Sequence, residues 1–134
     1  MYIVPMYVLM DASAIMAIIL NEANRDRVIS LTEGTMLMSS EVISFEIGNA
    51  LINLRRKQKI TEEGLLEAYR NYTLIPLRII KVNVEKALRI ACKNNLYAYD
   101  AYYLEIAHRL KLPLITFDAS MKKAGLDMKI SILE

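Results

Sequence analysis

Residues 7–20 read YVLMDASAIMAIIL, and this stretch decides the fold class. Its first four residues form a short apolar run typical of a buried strand, and residues 13–20 have helical length without a turn residue. Asp11 stands between the two, where apolar neighbours ordinarily exclude a lone carboxylate. The stretch therefore predicts a buried strand that leads directly into a buried helix, with an acid at the junction.

The rest of the chain repeats this alternation of strands and helices. Strand patterns alternate with helical patterns, and only four glycines are present, which makes tight hairpins scarce. This order predicts a parallel sheet with helices on both faces, and residues 1–134 suffice for a single domain. Further strands are expected at 35–38, 77–82, 114–117 and 130–133, and helices at 25–33, 41–57, from 61 onward, at 84–94 and at 99–110, with Ser39 and Ser40 capping the second of these helices.

Composition excludes several classes of protein. The net charge is only +2, so binding to nucleic acid must come from local patches. One cysteine and one histidine exclude a disulfide and a multi-cysteine zinc site, and we expect Cys92 in the core and His108 on a helix surface. The apolar start of the chain has no Lys or Arg before Arg25 and contains Asp11, which argues against a signal peptide or a membrane span.

Four acids stand in apolar surroundings. Asp11 and Asp118 each close a predicted strand, Asp100 lies in a tyrosine-rich stretch, and Glu46 stands between Phe45 and an isoleucine. The three aspartates can also be explained as helix caps, and Glu46 as a side chain pointing to solvent. Because all four of these separate explanations would have to hold at once by coincidence, a shared acidic site explains the four residues better.

Carboxylates brought together in a partly buried site repel one another, and a divalent cation relieves that repulsion. Oxygen-only ligands select hard ions such as Mg²⁺ or Mn²⁺. The chemistry expected of such a site is phosphoester hydrolysis by a metal-bound water.

These residues resemble the PIN-domain family, and most closely the VapC-type toxin ribonucleases. The similarity lies in four segments in the family's order, and it spans the chain from 11 to 118. The distinctive one is YDAYYL at 99–104, and the others are VLMDAS at 8–13, FEIGNAL at 45–51 and LITFD at 114–118.

The resemblance implies a three-layer α/β/α sandwich with a central, mainly parallel five-stranded sheet. It implies Mg²⁺- or Mn²⁺-dependent hydrolysis of RNA, with Asp11 and Asp100 as the main metal ligands and Glu46 and Asp118 completing the pocket. Hydroxyls at Ser13 and Thr116 would hydrogen-bond to these ligands or to waters. Family members commonly form homodimers and are held inactive by a small antitoxin protein. The single cysteine is compatible with a reducing cytosol, and we expect a cytoplasmic location.

Other interpretations stay open. A PIN endonuclease of RNA processing is the runner-up, and a non-catalytic PIN-like binding module is the main alternative without catalysis. The basic run at 55–59 either contacts RNA or complements its own helix end. Four tyrosines can stack on bases, although core packing is expected for most of them: Tyr97, Tyr99, Tyr102 and Tyr103.

Overall fold

The fold is a parallel sheet flanked by helices, described for residues 6–134 by a computed structural model. The strands lie in the order β3-β2-β1-β4. They are β1 (Tyr7–Met10), β2 (Met36–Ser40), β3 (Leu77–Ile80) and β4 (Leu114–Ile115). The helices of the described chain are α1 (Ala12–Ile19), α2 (Arg25–Thr32), α3 (Ile43–Arg56), α4 (Glu62–Thr73), α5 (Val84–Asn94), α6 (Ala98–Leu110) and α7 (Ala119–Asp127).

The central strand β1 is buried on both faces, which explains its unbroken apolar run. It pairs in parallel with β2 on one side and β4 on the other, and Met10 stands beside Ile115. The Ser39 hydroxyl donates to the Met10 carbonyl at 2.8 Å. The carboxyl ends of β1, β2 and β4 therefore meet at one edge of the sheet, where ligand sites of such sheets form.

The prediction of five strands is wrong for the described residues, which contain four. Residues 130–133 make a single parallel bridge, between Ile132 and Leu114. Strand β4 has only two residues, and alternate residues of a parallel strand bond to opposite neighbours. Leu114 alone faces the last segment, exchanging hydrogen bonds of 2.9 and 3.0 Å with Ser131 and Leu133. One residue cannot support a longer ladder.

Helix α3 begins later than predicted, because Ser39 and Ser40 are the last residues of β2. The Ser40 hydroxyl accepts a hydrogen bond from the Val42 amide at 3.3 Å, directly before the helix, and among residues 6–134 no side chain accepts from the amides of the first helical turn. Its buried stripe is Ile43, Ile47 and Leu51, each four residues from the next. Phe45 lies between two of these buried residues in the sequence but is 74% exposed. A residue two positions from a buried one points to the opposite side of a helix, so Phe45 faces away from the core.

The apolar start of the chain forms β1 and α1, and residues 1–5 lie outside the described residues. Between residues 6 and 134 no helix is both long and apolar enough to cross a bilayer. Cys92 is exposed, against expectation, because α5 turns Ala87 rather than Cys92 toward the core. His108 lies on the surface, as expected.

Candidate active site

Asp11 is the buried acid of the sheet edge, with 4% of its surface exposed. Its Oδ1 accepts hydrogen bonds from the Ser13 hydroxyl at 2.6 Å and from the Ala14 amide at 3.0 Å. Its Oδ2 accepts one from the Thr116 hydroxyl at 2.5 Å. Asp11 does cap α1, but the cap uses only one oxygen. Burial raises the pKa of Asp11, these hydrogen bonds lower it, and the charge of Asp118 raises it again.

Two hydroxyls join Asp11 to the end of β4. Besides contacting Asp11, Ser13 accepts a hydrogen bond from the Phe117 amide at 2.9 Å. Thr116 accepts one from the Asp118 amide at 3.1 Å. Each hydroxyl thus donates one hydrogen bond to the Asp11 carboxylate and accepts one from a backbone amide of residues 117–118. This arrangement holds Asp11 in one orientation and brings Asp118 to the same edge.

Glu46 faces inward from the first turn of α3. The Tyr103 hydroxyl donates to its Oε1 at 2.6 Å, and Tyr103 itself is buried. The pKa of Glu46 is raised to about 7, chiefly by burial and further by the charges of Asp11 and Asp100. The hydrogen bond from Tyr103 acts in the opposite direction and lowers it. The reading of Glu46 as a solvent-facing side chain is therefore wrong.

Asp100 and Asp118 differ in their local roles. Asp118 caps α7, because its Oδ1 accepts a hydrogen bond from the Met121 amide at 2.9 Å. The explanation of Asp118 as a helix cap is therefore correct. Asp100 caps nothing, because α6 begins after Tyr97 and Asp100 lies inside its first turn. Burial, followed by the charges of Asp118 and Asp11, raises the pKa of Asp100 to about 6.

The four acids are near enough for their charges to interact. Beyond the effect of burial, the charge of Asp118 raises the pKa values of Asp11 and Asp100, and the charges of Asp11 and Asp100 raise the pKa of Glu46. None of the ion pairs formed by residues 6–134 includes any of them. Oxygen donors with uncompensated charge fit a hard divalent cation in kind. As placed, however, no three acidic, histidine or cysteine side chains in the described chain are grouped closely enough to hold an ion.

Two features of the site edge were not predicted. Tyr103 contacts Glu46 across 57 positions of sequence, and no local pattern signals such a pairing. Core packing was expected for most of the four tyrosines, but Tyr97 and Tyr99 are exposed, because they precede the buried stripe of α6. The basic run at 55–59 is exposed around the end of α3, which fits both of its interpretations.

A family model for the PIN domain matches residues 8–126, nearly the whole chain and all four acids. The chain belongs to the PIN-domain family. No curated protein matches this PIN domain. Solved structures do: PAE2754 from Pyrobaculum aerophilum has a TM-score of 0.73 at 23% identity, covering 95% of this chain and 88% of that one.

Two more structures share the fold of this PIN domain. VapC20 from Mycobacterium tuberculosis, a toxin that cleaves the sarcin-ricin loop, has a TM-score of 0.62 at 15% identity and covers 88% of this chain and 95% of its own. FitAcB from Neisseria gonorrhoeae has a TM-score of 0.67 at 14% identity, with 95% and 96% covered. At these identities the likeness concerns the fold.

Proposed function

We propose that this PIN domain is a ribonuclease that hydrolyses RNA phosphodiester bonds with Mg²⁺ or Mn²⁺. The observation that carries the proposal is the uncompensated charge of Asp11, a buried carboxylate whose pKa is raised by burial and by the charge of Asp118. Its own charge adds to the effect of burial in raising the pKa values of Glu46 and Asp100. Such repulsion is costly in a fold unless a cation offsets it. PIN domains are generally nucleases, which supports the same reaction class.

In this proposal Asp11 and Asp100 are the main metal ligands, and Glu46 and Asp118 complete the site directly or through waters. Ser13 and Thr116 hold the Asp11 carboxylate through the hydrogen bonds described above. A bound divalent cation supplies phosphate orientation and an activated water for in-line attack. In this proposal the protein contributes four carboxylates, two that follow β1 and β4 and two from the first turns of α3 and α6.

The test is cleavage of structured RNA by purified protein, freed of any bound antitoxin, with Mg²⁺ or Mn²⁺. We expect EDTA to stop cleavage and Asp100→Asn to reduce it by at least about a hundredfold, the usual effect of removing a stabilising polar group from an active site. Asp100 caps no helix, so the variant should fold. Its calorimetric Mn²⁺ affinity should also fall.

The matched control for this test is Asp26→Asn, because Asp26 is an almost fully exposed aspartate at the start of α2. It should cleave like the wild type. Equal cleavage by wild type and Asp100→Asn would identify a contaminating nuclease and refute the assignment.

The biological role we infer is that of a cytoplasmic toxin held inactive by a small antitoxin, with homodimer formation. The fold shared with VapC20 supports the toxin role. Exposed apolar side chains on α3, on α4 and directly after α4 support a protein contact; they include Ile52, Leu66 and Leu74. A short neighbouring reading frame for a DNA-binding protein, and growth arrest relieved by its coexpression, are the expected observations.

An RNA-processing endonuclease is the second candidate, since it needs the same carboxylates without an antitoxin. Growth unaffected by expression of an active enzyme would favour it. A non-catalytic binding module would bind RNA without cleaving it under any metal.

A further inference from the structure

A pocket of about 250 Å³ opens directly beside the candidate active site, between α3 and the first turn of α6. We call it the α3–α6 pocket. Two of its residues, Glu46 and Ala12, also border the acidic site, since Ala12 follows Asp11 in the chain. An RNA strand held at the carboxylates therefore passes the pocket. Its other lining residues include Phe45, Asn49, Asn53 and Tyr99.

Two aromatic rings of the pocket are exposed. Phe45 is 74% exposed and Tyr99 is 52% exposed, although phenylalanine is usually buried. Tyr102 packs edge-on against Tyr99, with 5.7 Å between ring centroids and 83° between ring planes, which restricts the Tyr99 ring. Exposed aromatic rings are the groups on which unpaired bases stack in proteins that bind single-stranded nucleic acid.

Two amides complete the pocket. Asn49 and Asn53 follow Phe45 at intervals of four residues, so the three side chains share one side of α3. Each amide offers hydrogen-bond donors and an acceptor, the groups that the edge of a nucleobase requires. Arg56 is exposed one turn further on, where it suits a backbone phosphate. The volume lies just below the roughly 300 Å³ at which pockets for drug-sized molecules begin. It suits one small planar ring.

We propose that the α3–α6 pocket holds one unpaired nucleobase of the RNA strand. This inference rests on the proposed ribonuclease function. Phe45 and Tyr99 stack on the base, and Asn49 and Asn53 bond to its edge. Because a base inside a duplex offers neither face nor edge, the pocket selects single-stranded or splayed nucleotides next to the cleaved bond.

The test measures RNA binding in the non-cleaving Asp100→Asn background with Mg²⁺. The probes are end-labelled single-stranded homopolymers of the four bases and an abasic strand of equal length. We expect base-bearing strands to bind more tightly than the abasic strand. Phe45→Ala or Tyr99→Ala should reduce that preference by about tenfold, the effect of one stacked base. Leu126→Ala, which removes a similarly exposed apolar side chain outside the pocket, should not.

Asn49→Ala separates edge recognition from stacking. It should change the ranking of the four homopolymers, whereas Phe45→Ala should weaken all four alike because every base has a π-face. Circular dichroism checks that each variant folds. An unchanged preference for base-bearing RNA in Phe45→Ala and Tyr99→Ala overturns the pocket assignment. The assignment is also overturned if these variants lose a copurifying protein while their RNA binding stays the same. Neither result affects the cleavage test, whose failure would remove both proposals.

Discussion

The hydrogen bond between Tyr103 of α6 and Glu46 of α3 is the contact that orients an acid of the site. Tyr103 is almost wholly buried, and its hydroxyl lies 2.6 Å from Oε1 of Glu46. Burial, followed by the charge of Glu46, raises the pKa of Tyr103, so the phenol remains a donor at any ordinary pH. Tyr103 is therefore a positioning residue for Glu46.

We expect Tyr103→Phe to lower RNA cleavage about tenfold to a hundredfold, because a hydrogen bond to a charged group contributes about 1.5–3 kcal/mol. The Mg²⁺ concentration for half-maximal cleavage should rise as well, which a purely structural effect would not cause. Tyr102→Phe is the control, since it removes a hydroxyl from the same helix and keeps the ring that packs against Tyr99. Equal losses in both variants would contradict the positioning role.

At the scale of elements, the buried Glu105 and the partly exposed Arg109 form an ion pair within α6, and both side chains hydrogen-bond to the loop before α5. Glu105 is only 2% exposed. Its carboxylate accepts hydrogen bonds from the Asn83 amide at 2.6 Å and from Nε of Arg109 at 2.8 Å. Arg109 also donates to the Lys81 carbonyl at 2.7 Å. This clamp fixes the helix that carries Asp100 and Tyr103 against the end of β3.

Arg109→Ala should lower the free energy of unfolding by about 3 kcal/mol, because it leaves a buried carboxylate without its counterion. Arg89→Ala breaks a similarly spaced pair with Glu85 on α5, where both side chains are largely exposed. That loss should stay below about 1 kcal/mol. Urea denaturation measures both. Similar losses in the two variants would show that the Glu105 clamp contributes little.

At the scale of the whole molecule, the acid cluster sets how stability varies with pH in the absence of metal. The folded-state pKa of Glu46 is raised from 4.5 to about 7, and that of Asp100 from 3.8 to about 6. A carboxyl with a raised folded pKa binds protons more tightly when folded, so stability falls as pH rises through this window.

In EDTA, the protein should therefore be more stable at about pH 5 than at about pH 7.5, by about 1–2 kcal/mol after allowance for partial exposure. Mg²⁺ should reduce the difference, since it offsets the same charges. Glu46→Gln should flatten the profile. Chemical denaturation at several pH values measures it, and a wild-type stability that rises over this interval would contradict the electrostatic account.

Most of the elements follow from local sequence. Alternating apolar runs and helical periods correctly predicted the first strand and α5, and they placed Asp11 after a strand and Asp118 before a helix. These features depend on residues within one or two turns of each other, which is the range over which periodicity and capping act. The family resemblance of the four acidic segments is also a property of sequence alone.

Asp11 shows where the tertiary structure takes over. The sequence alone determined that an acid would stand at the end of a buried strand and begin a helix. The family resemblance already implied that Thr116 bonds to a ligand or a water, and the fold decided that its partner is the second oxygen of Asp11. Only the fold decided that Tyr103 would reach Glu46 and that Phe45 would face the pocket. Each of these contacts depends on how a helix is rotated about its axis or where a strand ends. Those quantities are set by packing between segments distant in sequence, and no local pattern encodes them.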